Sequence, residues 1–345
     1  MQTISRAFAM VLAGCAALVA AGSGAHAQTV ADFYKGKTIA LVNAYPPGSS
    51  RDAAGRLLIR HLPRHIPGNP TVVSRNMTGA GGLIGTNYIF NVAPKDGTEI
   101  GLTGGTLPFG PLWSREGVKF EATRFNWLGS MERWLGLVFI RKGAPAQSFA
   151  ELMAREVKVG ATGIGDVTAI YPRVLNALAG TKFNVVRGYQ GTADLNLAIE
   201  RGEVDGRVGW CFECAKREKP SWLSEASVLL LLQLAFTRHP ELKDVPSLAD
   251  VAKTEEARQI MTLVYGGQEM NIPLMLPPGV PPDRVAALRK AFDDTMTDPE
   301  FLAEGKRVGA DISPMTWRDM EKLIQSAYAT PPATVERAAK IITGN

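Results

Sequence analysis

Cysteine and histidine are scarce: three Cys and four His in 345 residues. Cys15 and His26 fall in an N-terminal segment that reads as a leader, which leaves Cys211, Cys214, His61, His65 and His239. A structural zinc site takes four closely spaced ligands, and one C-x-x-C with no second pair does not supply them. No metal and no cofactor is therefore expected. G-x-S-x-G is missing, and no His lies in a glycine-rich loop to activate a serine, which argues against a hydrolase. Blocks of Lys/Arg and basic stripes interleaved with aromatics are also lacking, so nucleic acid is not an expected partner. Past the leader no segment reaches the ~18 uninterrupted apolar residues of a membrane span. Val228–Phe236 is too short for that and reads as a buried strand.

What is present is ordinary globular composition, 46% hydrophobic and 21% charged. The length suggests about two domains. The net charge is +5, and removing residues 1–27 takes away Arg6 and no acid, leaving +4. That mild excess suits small acidic solutes better than polyanions. Arg6, the apolar stretch Ala7–Ala21 and Ala25-His26-Ala27 form a secretory signal with an A-x-A cleavage site before Gln28. The expected location is the periplasm. Leu12-Ala13-Gly14-Cys15 resembles a lipoprotein signal, but apolar sequence continues past Cys15, so lipid anchoring there is the lesser alternative. In an exported chain Cys211 and Cys214 read as a local disulfide, with a redox pair as the alternative.

Strands and helices alternate along the mature chain. Thr38–Ala44 is an apolar strand stopped by Pro46-Pro47-Gly48, and Ser49, Ser50 or Asp52 then caps a helix from about Ala53. Such a strand–loop–helix junction turns backbone N–H groups and a positive dipole end towards an anion. Asn76–Gly82 leads into a second helix without forming G-x-G-x-x-G, so a dinucleotide site is not expected. The junction pattern recurs at Val157–Ala161, Thr162-Gly163-Ile164-Gly165-Asp166 and the helix Val167–Ala179, and again before Leu195–Arg201. Pro240–Thr254 reads as turns and a helix, Ile272–Leu276 as a strand, and four helices follow from Pro282. The expected class is α/β with mostly parallel sheets, in two domains facing each other across a cleft at the strand carboxyl ends.

Tyr45-Pro46-Pro47-Gly48-Ser49-Ser50-Arg51-Asp52, Asn76-Met77-Thr78-Gly79-Ala80-Gly81-Gly82 and Ala93-Pro94-Lys95-Asp96-Gly97 together resemble the Bug-type extracytoplasmic receptors of tripartite tricarboxylate transporters. Gly160–Gly165, Gly188–Leu195, Arg201–Asp205, Asp244–Leu248 and Leu276–Pro281 continue the resemblance in order along nearly the whole mature chain. Each motif alone is weak, and the ordered set is specific. The resemblance implies a periplasmic-binding-protein-like type II fold: two α/β domains with the ligand cleft between them. The implied division is a signal peptide 1–27, domain I at 28–138 plus 230–345, and domain II at 139–229. It also implies a non-catalytic receptor, acting as a monomer, that captures a small carboxylate and hands it to membrane permease subunits. The alternatives are a receptor feeding a sensor kinase, or an exported thiol-redox or hydrolytic enzyme.

The expected ligand contacts are Tyr45, Pro47, Gly48, Ser49 and Ser50; Gly79, Ala80, Gly81 and Gly82; Thr106; Thr162, Gly163, Ile164, Gly165, Asp166 and Thr168; and Tyr189 and Gly191. Asp52 reads as a cap or structural acid, and Trp210 as core. The chain departs from the family where Gly48-Ser49-Ser50 replaces a glycine pair, where Thr78 stands for Pro, and where Asp166 follows the central glycines. An Asp beside a carboxylate repels it unless it caps the helix or meets an amine.

Overall fold

The computed structural model describes residues 28–113, 116–163 and 166–344. The leader, including Cys15, and the predicted contacts Ile164 and Gly165 lie outside them. The strands are β1 Thr38–Asn43, β2 Thr71–Asn76, β3 Glu99–Leu102, β4 Asn126–Ser130, β5 Gly136–Arg141, β6 Val157–Ala161, β7 Phe183–Arg187, β8 Gly206–Cys211, β9 Val228–Gln233, β10 Pro273–Leu276 and β11 Met315–Thr316. They form two sheets, ordered β11-β4-β10-β3-β1-β2 and β7-β6-β8-β5-β9.

Both sheets are mixed, not mostly parallel. β1 runs parallel to β2 and β3, and β6 to β7 and β8. β10 is antiparallel to β3 and β4, and β5 to β8 and β9. The reason is how the chain travels. Strands reached through a helical crossover point their carboxyl ends at the cleft. β5 and β10 enter their sheets straight from the crossover segments and so run away from the cleft. The sequence reading placed the strands but did not weigh this direction of entry.

Each sheet is covered on both faces, as the continuous apolar runs of β1 and β5 require. Ile39, Leu41, Ile100, Leu102 and Leu274 pack against Leu57, Leu58, Phe292 and Phe301. In the second sheet Leu137 and Phe139 pack with Trp210 and Trp222, whose rings lie 5.7 Å apart. A third cluster joins residues of both sheets, including Val42, Trp127, Val138, Val159, Tyr171 and Tyr265.

Tyr265 belongs to a helix, Glu255–Glu269, that the sequence reading left without assignment. The Thr254 hydroxyl caps it, accepting from the Ala257 amide at 3.1 Å. Two glutamates follow in the first turn, and Ile260, Met261, Leu263 and Val264 line its buried face. Those signals are in the sequence. Gly266 packs on the Phe109 and Leu323 side chains, and Gly267 lies against the backbone of Gly105 and Thr106. A Cβ at Gly105 would lie 2.1 Å from the Gly267 carbonyl oxygen and 2.2 Å from that of Met270.

Candidate functional site

The carboxyl ends of β1, β3, β4, β6 and β8 converge with the starts of β5 and β10. Asn43 and Asn76, register partners at the ends of β1 and β2, fix the first loop. Asn43 Oδ1 accepts from the Tyr45 amide at 3.0 Å, and Asn76 Nδ2 donates to the Tyr45 carbonyl and to Asp52 Oδ1, both at 2.8 Å. Ser49 is the N-cap, its hydroxyl accepting from the Asp52 amide, and the helix Ser50–His61 starts one turn earlier than the sequence suggested. Asp52, 1% exposed, also accepts from the Gly48 amide and from Arg56 Nε. Burial alone would raise its pKa, but the bonds from Arg56, Asn76 and Gly48 outweigh burial and hold it below the usual value.

This loop is therefore largely closed on itself. The Gly48 amide is held by Asp52 and the Ser49 amide by the Pro46 carbonyl, while the Ser49 hydroxyl donates to Pro46 at 2.8 Å. The second-sheet loop behaves alike. Asp166 caps the helix Val167–Ala179, its Oδ1 accepting from the Thr168 amide at 2.9 Å and hydroxyl at 2.6 Å, and the Thr162 amide donates to Thr168 Oγ1 at 3.1 Å. The helices Leu83–Asn91 and Thr192–Glu200 differ: their caps, Gly82 and Gly191, supply no side chain to the first-turn amides.

The predicted residues gather in three places. Tyr45 stands against Gly82 and Gly104, close enough that a Cβ on Gly104 would lie 2.1 Å from its hydroxyl. Thr162, Asp166 and Thr168 form one hydrogen-bonded group, with Tyr189 nearby against Gly160. Ser50 lines a cavity of about 360 Å³ whose other walls include Glu132, Trp134, Asn271, Arg217 and Asp311, and also Cys211 and Cys214. Pro47, Ala80, Gly81 and Thr106 are exposed, and Gly79, Gly163 and Gly191 are partly so. Trp210 is 4% exposed, in the core. The first two groups are linked by the helix Glu255–Glu269: Gly267 packs on Gly105 and Thr106, and Gln268 lies beside Tyr171.

The residues missed by the sequence reading lie on two adjoining segments, 131–136 and 268–272. The Trp134 amide donates to the Gln268 carbonyl at 2.7 Å and the Asn271 amide to the Glu132 carbonyl at 3.0 Å. Arg51 lies over the Tyr45 ring, 4.6 Å from its centroid, and its Nη2 donates to Asn271 Oδ1 at 2.8 Å. Asn271 Nδ2 donates to Glu132 Oε2 at 2.8 Å. Two buried N–H donors along this seam, Arg51 Nε and Trp134 Nε1, have no acceptor among the described residues, and a third, Gln268 Nε2, has none at full hydrogen-bond geometry although the Tyr171 hydroxyl lies beside it. Native proteins leave few buried donors unpaired, and such groups ask for a partner. Arg51 stood inside a quoted motif; the others had no local signal.

The acids of the seam are uneasy neighbours. Burial pushes the Glu132 carboxyl up, the Asn271 hydrogen bond opposes that, and the Asp311 charge adds to it. Burial also pushes Asp311 up, with Glu213 adding. In the second domain Arg207, 2% exposed, lies 4.7 Å from the Trp210 ring centroid and donates to Asn196 Oδ1 at 2.8 Å. Burial lowers its pKa to about 10. Glu213, His239 and Glu241 approach one another closely enough to hold an ion. The Lys216 ammonium already sits there, 3.1 Å from Glu213 Oε1 and 3.0 Å from Glu241 Oε1, while His239 Nδ1 accepts from the Glu241 amide.

Two mixed α/β sheets, their strand ends facing across a cleft, define the two-domain fold of periplasmic binding proteins. Residues 63–339 match the tripartite tricarboxylate transporter family receptor, TctC, and the chain belongs to that family. A UPF0065 protein from the tcbD–tcbE intergenic region of Pseudomonas sp. (strain P51) is 26% identical over 309 residues, 87% of this chain and 85% of that protein. Among solved structures, a TctC solute-binding protein from Polaromonas superposes with a TM-score of 0.71 at 19% identity, covering 88% of this chain and 99% of that one. Rpa4515 of R. palustris, solved with adipate, gives 0.55 at 20% identity, covering 89% and 97%. Family and fold neighbours are solute-binding proteins. No helix among the described residues is long and apolar enough to cross a membrane.

Proposed function

We propose that this chain is a periplasmic receptor that captures a small carboxylate between its two domains and delivers it to the membrane permease of a tripartite tricarboxylate-type transporter. The observation that carries the reading is the set of buried donors without well-placed acceptors, Arg51 Nε, Trp134 Nε1 and Gln268 Nε2, on the segments that meet where both sheets end. A carboxylate brings up to four acceptor sites to such donors. Fixed donors need little reorganisation when an anion arrives, so less of the interaction is lost to ordering. The uncapped helix starts at Gly82 and Gly191 add positive dipole ends on the two sides. Closure of the domains would bury the solute and present a changed surface to the permease. The adipate held by the R. palustris neighbour is a ligand of the same chemical class.

The test is calorimetry on the purified mature protein with acetate, succinate, malate, adipate, citrate and neutral analogues. Binding of one or more acids, lost when a carboxyl is replaced by an amide, is the expected result. Gln268→Glu turns a donor into a repelling acceptor and should weaken binding by about 10-fold or more, since a lost hydrogen bond to a charged group is worth about 1.5–3 kcal/mol. Preference for a neutral sugar, or indifference to Gln268→Glu, would overturn the reading.

A further inference from the structure

Cys211 and Cys214 are joined as a disulfide between the end of β8 and the first turn of the helix Phe212–Glu218. Both sulfur-bearing residues line the cavity that Ser50, Glu132 and Asn271 line from the other domain. The same helix sends Glu213 and Arg217 into that cavity and Phe212 into the adjoining one of about 390 Å³. A bond closing so short a loop constrains little of the unfolded chain, so it is a poor staple for the fold. Its place suits a different task. It fixes the geometry of one wall of the cleft, and it does so where a small molecule can reach it.

We infer that Cys211–Cys214 is a reducible disulfide built into the ligand cleft, open to small thiols and dithiols, and that its redox state sets the affinity of the cleft for its carboxylate. The inference rests on the cavity being the ligand site. Cys211 is 7% exposed and Cys214 is partly exposed, so an incoming thiolate meets Cys214 Sγ. Attack forms a bond from the incoming sulfur to Cys214 Sγ. The Cys211–Cys214 bond breaks, and its electron pair leaves on Cys211 Sγ. The Cys214 amide donates to that sulfur at 3.0 Å and steadies the departing thiolate. The second thiol of a dithiol then displaces Cys214 from the mixed disulfide. The dithiol ends as a disulfide and the protein as two thiols, with two protons passed between them through solvent. Two free thiols no longer tie the helix start to β8. The turn that aims Glu213 and Arg217 relaxes, and with it the wall that faces Ser50.

The experiment has two arms on the full mature protein. In the first, the folded protein is treated with dithiothreitol, quenched with an alkylating agent and read by mass spectrometry, beside a sample unfolded in guanidinium. Reduction of the folded protein, with alkylation at Cys214 ahead of Cys211, is expected. A disulfide that reacts only after unfolding overturns the proposal. In the second, the carboxylate panel is titrated into oxidised and reduced wild-type protein and into C211S/C214S. About fivefold or greater weakening on reduction is expected, the lower end of typical coupling between sites, together with slower reduction when ligand fills the cleft. If the double variant fails to fold, the chemically reduced wild type still decides. Equal affinity in both redox states overturns the gate and leaves the receptor reading standing. Binding of no acid to either form overturns both.

Discussion

Asp52 and Glu132 are both acids at the cleft, and their surroundings push them in opposite directions. Asp52 accepts from Gly48, Arg56 and Asn76 and is held below the usual carboxylate range despite its burial. Asp52→Ala leaves the Gly48 amide and Arg56 Nε without this acceptor, and Asn76 Nδ2 with the Tyr45 carbonyl alone, and should cost roughly 1–3 kcal/mol, read as a lower urea midpoint. An unchanged midpoint would mean that water replaces the carboxylate. Because the folded pKa is depressed, this stabilisation is present above the ordinary value of 3.8 and is lost as pH falls through the lowered one. Glu132 and Asp311 behave the other way. Their raised pKa values mean that they shed negative charge earlier as pH falls, with Arg51 and Arg217 opposing the shift at Glu132. A bound anion raises them further, so proton uptake accompanies binding. Carboxylate affinity should therefore increase as pH falls towards the raised range of these two acids. Calorimetry in buffers of different ionisation heat checks both the trend and the proton uptake, and a flat profile would remove these acids from the site.

At the level of elements, much of the fold was legible because each strand–loop–helix unit is local. The apolar run of β1, the proline stop and the Ser49 cap lie within a dozen residues, and so do β6, Asp166 and the start of the helix Val167–Ala179. What was not legible depends on contacts distant in sequence. The first loop is the local exception: Asp52, only four residues on and read as a cap or structural acid, holds the Gly48 amide, so a loop that looked ready for an anion is mostly satisfied from within. Nothing near Gln268 announces that it lies between Gly136 and Tyr171. The Glu255–Glu269 helix gives the clearest case. Its role is set by the backbone of Gly105, more than a hundred residues earlier. Gly105→Ala would drive a methyl into two carbonyl oxygens at 2.1 and 2.2 Å. Either the helix end or the 104–106 turn must move. A destabilisation of about 1–3 kcal/mol, the usual range for overpacking, should appear in chemical denaturation, together with weaker ligand binding because Gln268 shifts with the helix. Wild-type stability and affinity in this variant would show that the contact yields freely.

For the whole molecule the question is whether two sheets mean two independently stable bodies. The apolar cluster that holds Val42 and Trp127 of the first sheet also holds Val138 and Val159 of the second, with Tyr171 and Tyr265 between them. The two tyrosine rings lie 4.7 Å apart, and the buried Tyr265 hydroxyl donates to the Tyr171 carbonyl at 3.0 Å. The C-terminal helix Pro332–Thr343 packs on both Val167–Ala179 and Glu255–Glu269. Loss of either sheet would expose apolar surface on the other. Burial of such surface is worth roughly 25 cal/mol per Å², so the sheets should unfold together despite the two crossovers of the chain. Scanning calorimetry of the mature protein should give one transition with equal calorimetric and van't Hoff enthalpies. A saturating carboxylate should raise its midpoint without splitting it, by about 2.7 kcal/mol of added stability at a hundredfold excess over Kd. Two resolved transitions, only one of them moved by ligand, would mean that the bridging cluster is too weak to couple the sheets. Closure would then be the docking of two bodies that are stable apart. A single transition would instead make closure a hinge about a shared core, with the opening confined to the Ser50 and Cys211 side of the seam.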